Sequence, residues 1–282
     1  MSGRWTSRAV AVVAVALLVA AGTMAALAGS AGAEVIYKNM PTKHQFDGAE
    51  GFECCGTSSF GGEVAFAGSN RGSPTITVGL LSFACQTGGD QTCATKGAAT
   101  FTWPLTLEIY EAGAGESVGP LITRVTREFK IPYRPSESSK CPEVEGYTKG
   151  YGPECVVAIA KNVNFTLKGF MLPDTAIIAL AFNTETYGSK PTGEGGPENS
   201  LNVTVNVKYE CTKENPTAPH ECEAYAELPT GPSVGTDPLP EQVFQSTVYS
   251  FAACGGVEGS FGASGDCWKY AQPAFEVKAK RK

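Results

Sequence analysis

Beyond residue 33 the chain is a succession of short stretches in which apolar and polar residues alternate. Leu105, Leu107 and Ile109 alternate with Thr106, Glu108 and Tyr110, and Leu201, Val203, Val205 and Val207 with Asn202, Thr204, Asn206 and Lys208. A period of two sends one set to each face of a ribbon, the mark of a half-buried β-strand. The same pattern predicts strands over 34–38, 62–68, 75–83, 125–133, 163–167 and 275–278. In 125–133, Val125, Phe129, Ile131 and Tyr133 share one parity, and in 163–167 Val163, Phe165 and Leu167 oppose Asn164 and Thr166. Residues 176–182 are continuously apolar, which predicts a central strand buried on both faces. No stretch of twelve or more residues in this part of the chain follows a 3.6-residue period.

About ten such segments at short spacing predict an all-β fold, an antiparallel two-sheet β-sandwich of jelly-roll-like form. The 33 Gly and 18 Pro among 282 residues favour turns over long helices. Two regions, 135–154 and 211–242, read as long irregular loops. The second holds Pro216, Pro219, Pro229, Pro232, Pro238 and Pro240, and loops of such length are usually functional or pinned by disulfides. There is no internal repeat and no linker that would cut a second domain, so 34–282 is expected to be one β-sandwich domain.

Residues 1–33 read differently. Arg4 and Arg8 supply a basic start, 9–28 is almost wholly apolar, and Ala31-Gly32-Ala33 forms a small-residue cleavage site. This is the pattern of a secretory signal peptide, with a mature protein beginning at Glu34. About twenty apolar residues also suffice to cross a bilayer, so the alternative is an uncleaved anchor, the one expected route to a membrane. The basic C-terminal end, with Lys278, Lys280, Arg281 and Lys282, carries no second apolar segment.

Charge narrows the partners. The chain has 22 basic and 28 acidic residues, and loss of Arg4 and Arg8 leaves 20 and 28, a net charge of −8. A nucleic-acid groove needs clustered Lys and Arg facing phosphates. Here the cations are outnumbered and scattered, so no nucleic-acid partner is expected.

All ten cysteines, Cys54, Cys55, Cys85, Cys93, Cys141, Cys155, Cys211, Cys222, Cys254 and Cys267, follow residue 33. An even number in an exported chain points to disulfides, and no C-x-x-C occurs to suggest zinc or thioredoxin-type chemistry. Neighbouring positions predict local bridges Cys85/Cys93, Cys141/Cys155, Cys211/Cys222 and Cys254/Cys267, each stapling a loop at a gain of about 2–3 kcal/mol. Cys54 and Cys55 either join each other in a strained ring or pair with other cysteines.

Candidate chemistry is sparse. The letters G-x-S-x-G occur around Ser117 and Ser233, but a hydrolase elbow needs a strand before the serine and a helix after it. Ser117 falls in a Gly-rich hairpin loop and Ser233 among prolines, so neither is expected to be catalytic. His44 and His220 are the two histidines and read as surface or loop residues, which disfavours a His-based metal site. No metal or cofactor is expected. A carboxylate pair for glycoside hydrolysis is spatial and leaves no local signature. Trp103 and Trp268 read as core or disulfide-shielding residues rather than sugar platforms. Asn164-Phe165-Thr166 and Asn202-Val203-Thr204 are glycosylation sequons lying on strands.

The runs Val35-Ile36-Tyr37-Lys38-Asn39, Phe60-Gly61-Gly62-Glu63-Val64-Ala65-Phe66-Ala67-Gly68, Ala181-Phe182-Asn183-Thr184 with Tyr187-Gly188, and Ser233-Val234-Gly235-Thr236-Asp237-Pro238-Leu239-Pro240 resemble a group of secreted proteins of high-GC bacteria. The resemblance spans most of 34–278. It implies an extracellular β-sandwich with no activity to carry over. Some of that group bear a surface-sorting tail, and its absence here implies release rather than wall anchoring.

The expectation is therefore a secreted, disulfide-rich β-sandwich with a non-catalytic binding or structural role, its partner an extracellular glycan or a cell-surface protein. The alternative is a secreted glycoside hydrolase working through a carboxylate pair.

Overall fold

Alternation along the chain becomes two packed sheets. The computed structural model describes residues 32–40, 48–51, 57–88, 93–140, 158–182, 201–214, 222–247, 260–264, 268 and 270–281. The strands are β1 (Glu34–Lys38), β2 (Gly48–Gly51), β3 (Thr57–Ala65), β4 (Gly72–Ser82), β5 (Thr100–Ala112), β6 (Val118–Pro132) and β7 (Ile159–Thr166). They continue with β8 (Thr175–Ala181), β9 (Leu201–Glu214), β10 (Cys222–Pro229), β11 (Phe244–Thr247), β12 (Gly262–Ala263), β13 (Gln272–Pro273) and β14 (Phe275–Lys280). Among the described residues there is no helix.

One sheet has six strands in the order β12-β11-β3-β8-β5-β6. The other has eight, built on the order β1-β14-β4-β9-β10, with β7 added to β4 and both β2 and β13 added to β9. Every pairing is antiparallel. Successive strands repeatedly switch sheets, so the sandwich is closed by crossovers and not by hairpins alone. Residues Glu34–Lys282 make one compact unit.

The inward parity of each strand fills the space between the sheets. Phe101, Trp103, Leu105, Leu107 and Ile109 of β5 face Ile76, Val78 and Leu80 of β4 and Val163 and Phe165 of β7 in one apolar core. Phe129 of β6 meets Phe165 of the opposite sheet edge-on, 5.1 Å between ring centres. β8 lies between β3 and β5, and Ala176 to Leu180 are all fully buried, as the unbroken apolar run predicts. Trp103 is buried and its Nε1 donates to the Phe182 carbonyl over 2.6 Å, while Trp268 packs against the core, edge-on to Phe60.

Two sequence expectations change. The predicted strand 62–68 is displaced, because β3 starts at Thr57 and ends at Ala65. Its first half, Thr57-Ser58-Ser59-Phe60-Gly61-Gly62, lacks apolar alternation because small residues are needed there. A Cβ on Gly61 would lie 2.6 Å from the Ile178 carbonyl oxygen. The region 211–242 is not wholly irregular. β9 runs on to Glu214 and forms a hairpin with β10, whose alternation of Ala224, Ala226 and Leu228 with Glu223, Tyr225 and Glu227 is obscured in the sequence by the prolines that flank it.

Candidate functional site

The outward parity of the eight-stranded sheet builds an open polar face. Cross-strand register aligns Lys38, Glu276, Thr77 and Asn164 in one row across β1, β14, β4 and β7. Lys278, Thr75 and Thr166 form the next row. The groups hold one another in place. Thr77 donates to Asn164 Oδ1 over 2.8 Å, Thr75 and Thr166 share a hydroxyl–hydroxyl bond of 3.1 Å, and Glu276 accepts from Lys38 at 2.9 Å and Lys278 at 2.6 Å. Burial alone would raise the Glu276 carboxyl, but the Lys278 and Lys38 ammoniums outweigh it and hold the group below its ordinary value. Cross-strand pairs of this kind each contribute a few tenths of a kcal/mol. They also hold the hydroxyl, amide and ammonium groups in place relative to one another. Among the described residues no aromatic side chain joins these two rows, so the groups they display are hydrogen-bonding and charged.

A second cluster gathers acids where the segment after Gly231 crosses between the sheets. Val234 bridges Lys38 of β1, and Thr236 bridges Ala65 of β3 through two hydrogen bonds of 2.9 and 3.0 Å. Glu63 on β3 and Asp237 just past the bridge thereby come within electrostatic reach. Burial pushes Asp237 up to about 6, with the Leu239 amide pulling the other way and the Glu63 charge adding to the rise. Burial also raises Glu63, which is 7% exposed. The Tyr37 phenol is raised by its own burial and by Asp237.

The outer face of the six-stranded sheet holds a third cluster. Glu108, 6% exposed, accepts from Arg124 Nε at 2.8 Å and from Tyr110 at 2.9 Å. Ser59 donates to the same carboxylate at 3.4 Å. Burial first, and the Glu108 charge second, push Tyr110 up to about 12. Phe261 stacks on Tyr110 with centroids 4.9 Å apart, and Phe244, Ile177 and Ala179 beside it are fully buried. With its carboxylate fully bonded and its face covered, this cluster serves the fold.

The sequence-derived candidates fall out as follows. Ser117 sits in the β5–β6 hairpin turn, bonded to the Ala114 carbonyl, and strand β6 follows it directly. Ser233 lies in an extended segment, its amide and hydroxyl both donating to the Lys38 carbonyl. Neither has the strand-turn-helix frame of a nucleophile elbow. His44 and His220 lie outside the described residues, as do Cys54, Cys55, Cys141, Cys155, Cys254 and Cys267. Cys85 and Cys93 form the predicted disulfide. Cys211 and Cys222 lie on the paired strands β9 and β10, opposite Tyr225 and Glu214 respectively. Of the sequons, Asn164 is exposed on the polar face, whereas Thr204 of the second is fully buried. Among the described residues no three His, Cys, Asp or Glu side chains gather as metal ligands, and no helix is long and apolar enough to cross a membrane.

No pattern in the alternation marks Arg134, which is 2% exposed and donates from Nε to Cys85 Sγ over 2.9 Å. Comparison with protein-family models, with curated proteins and with solved structures finds no match.

Proposed function

We propose that the protein is an exported, disulfide-stapled β-sandwich with a non-catalytic binding or structural role outside the cell, its partner an extracellular glycan or a cell-surface protein. The observation that carries this reading is the pre-ordered polar face of the eight-stranded sheet. Ligands rich in hydroxyl and amide groups are bound by fixed donors and acceptors whose ordering cost is met beforehand. Export rests on the signal-like 1–33 segment, cleaved after Ala33 or retained as an anchor, and on the resemblance to secreted proteins of high-GC bacteria.

Affinity electrophoresis through gels containing neutral or acidic polysaccharides tests the reading. The protein should be retarded by at least one of them, and Thr77→Ala combined with Asn164→Ala should abolish the retardation while leaving the melting temperature within a few degrees. Retardation unchanged by the double substitution would remove this face from consideration.

A glycoside hydrolase is the second reading, and Glu63 with Asp237 favours it. A general acid has its carboxyl raised by its surroundings; burial raises both of these, and the Glu63 charge adds to the rise of Asp237 to about 6. Reducing ends released from a retained polysaccharide, and lost in both Glu63→Gln and Asp237→Asn, would favour this reading over the first.

A further inference from the structure

β6 is the last strand of the six-stranded sheet, and along its fifteen residues it pairs with β5 alone among the described residues. Such an edge offers a row of backbone N–H and C=O groups to any chain that can lie beside it, and proteins usually blunt it by shortening, bulging or charge. β6 is long, and its register with β5 is continuous from Pro132 back to Thr123, slipping only near the turn.

Two of its four charged residues are engaged within the sandwich. Arg124 is drawn onto the outer sheet face by Glu108, 2.7 Å from its Nη2, and Arg127 reaches across to the Thr166 carbonyl of β7 at 2.6 Å. Both guanidiniums are thus tied back to the sheets, leaving the strand open. Leu121 is 43% exposed, one of two large apolar side chains among the described residues left so open.

The charge along β6 is net positive. Arg124, Arg127 and Lys130 face a single Glu128, in a chain whose net charge is −6. Pairing β6 with β6 of a second copy would set two net-positive strands side by side, which is unfavourable. An acidic strand is complementary. We propose that β6 is a docking edge for an extended acidic peptide, which adds to the six-stranded sheet as a further strand. Its carboxylates lie toward Lys130 on the outward face of the strand, with the positive charge of Arg127 adding to the attraction, and an apolar side chain covers Leu121. This site is separate from the polar sheet face and does not depend on the role given to it.

The test uses a synthetic peptide of alternating Glu and Val and the isotope-labelled protein. The expected result is a saturable shift of backbone amide signals concentrated in 118–132. The same peptide N-methylated at alternate amides should bind at least about tenfold more weakly, because one edge of its backbone no longer donates. Lys130→Glu, which removes no side-chain bond to another described residue, should weaken binding about tenfold, and Arg127→Glu should do the same if it keeps its melting temperature. Absence of a saturable shift in 118–132, equal binding by the N-methylated peptide, or equal binding by a Lys-Val peptide would overturn the proposal and leave β6 as a charge-guarded edge.

Discussion

Arg134 lies against the Cys85–Cys93 disulfide, its Nε–H directed at Cys85 Sγ over 2.9 Å. The Arg134 amide donates to the Ala84 carbonyl, and its own carbonyl accepts from Thr95, so both backbone and side chain fasten the end of β6 to the stapled loop. A buried guanidinium stripped of its surroundings is costly, and so is a cavity in its place. Arg134→Ala should therefore lower stability by about 3 kcal/mol or more in urea denaturation. Cys85→Ser with Cys93→Ser should cost about 2.5 kcal/mol through loss of loop closure.

Gly235 makes the crossing between sheets possible. Its φ is +77°, and a Cβ there would lie 2.7 Å from the Ala65 carbonyl oxygen and 2.9 Å from Tyr37 Cδ2. Gly235→Ala combines left-handed strain with a backbone clash, and a loss of about 2–3 kcal/mol is expected. Thermal melts of this variant beside Gly231→Ala, where a Cβ meets nothing within 4 Å, separate the clash from a general effect of replacing glycine.

Asp237 gives stability a pH dependence opposite to that of an ordinary ion-paired acid. Its pKa rises from 3.8 to about 6 on folding. Between those values the folded protein keeps a proton that the unfolded chain has released. Stability contributed by this group is complete below about pH 4 and declines as pH rises through about 6, by at most about 3 kcal/mol before allowance for solvent access. Asp237→Asn should flatten that decline in denaturation curves taken from pH 4 to 7.

Glu276 works in the other direction. Its carboxyl is held below the ordinary value, so its contribution is present above the unfolded pKa and fades as pH falls through the folded one. The group is partly exposed and salt-screened, so Glu276→Gln should cost less than about 1 kcal/mol at neutral pH. The difference from the parent protein should shrink at pH 3 and in concentrated salt.

β14 sits between β1 and β4, with Phe275, Val277 and Ala279 fully or almost fully buried. Each large apolar side chain there contributes about 1.5–3 kcal/mol. Deletion of 273–282 should leave no cooperative unfolding transition by circular dichroism, and a melting curve like that of the parent would refute this placement.

Strand content was legible wherever one face is apolar and the other polar, as in β5, β9 and β14. The double burial of β8 was equally plain, because Ala176 to Phe182 contains no polar residue. What escaped were strands made of small residues or flanked by prolines. Thr57-Ser58-Ser59 shows no apolar alternation, yet it pairs with β11, and the neighbouring Gly61 leaves no room for a larger side chain. The functional surfaces were less visible still. The alternating Thr75, Thr77, Asn164 and Thr166 appear in sequence only as outward residues of two strands, and their assembly into one face needs the β4–β7 register. Glu63 and Asp237 are 174 positions apart in the numbering, and only the Ala65–Thr236 bridge brings them near each other.

The placement of β14 also bears on when the molecule can take shape. β1 is the first strand of the compact unit and β14 the last, yet they are neighbours, Val35 opposite Lys278 and Lys38 opposite Glu276. β14 is also the element that joins β1 to β4. Among the described residues β1 pairs with no other strand, and Val277 and Phe275 lie opposite Ile76 and Val78 of β4. The eight-stranded sheet is thus joined by pairings that span almost the whole compact unit, contacts whose loop-closure cost makes them slow to form.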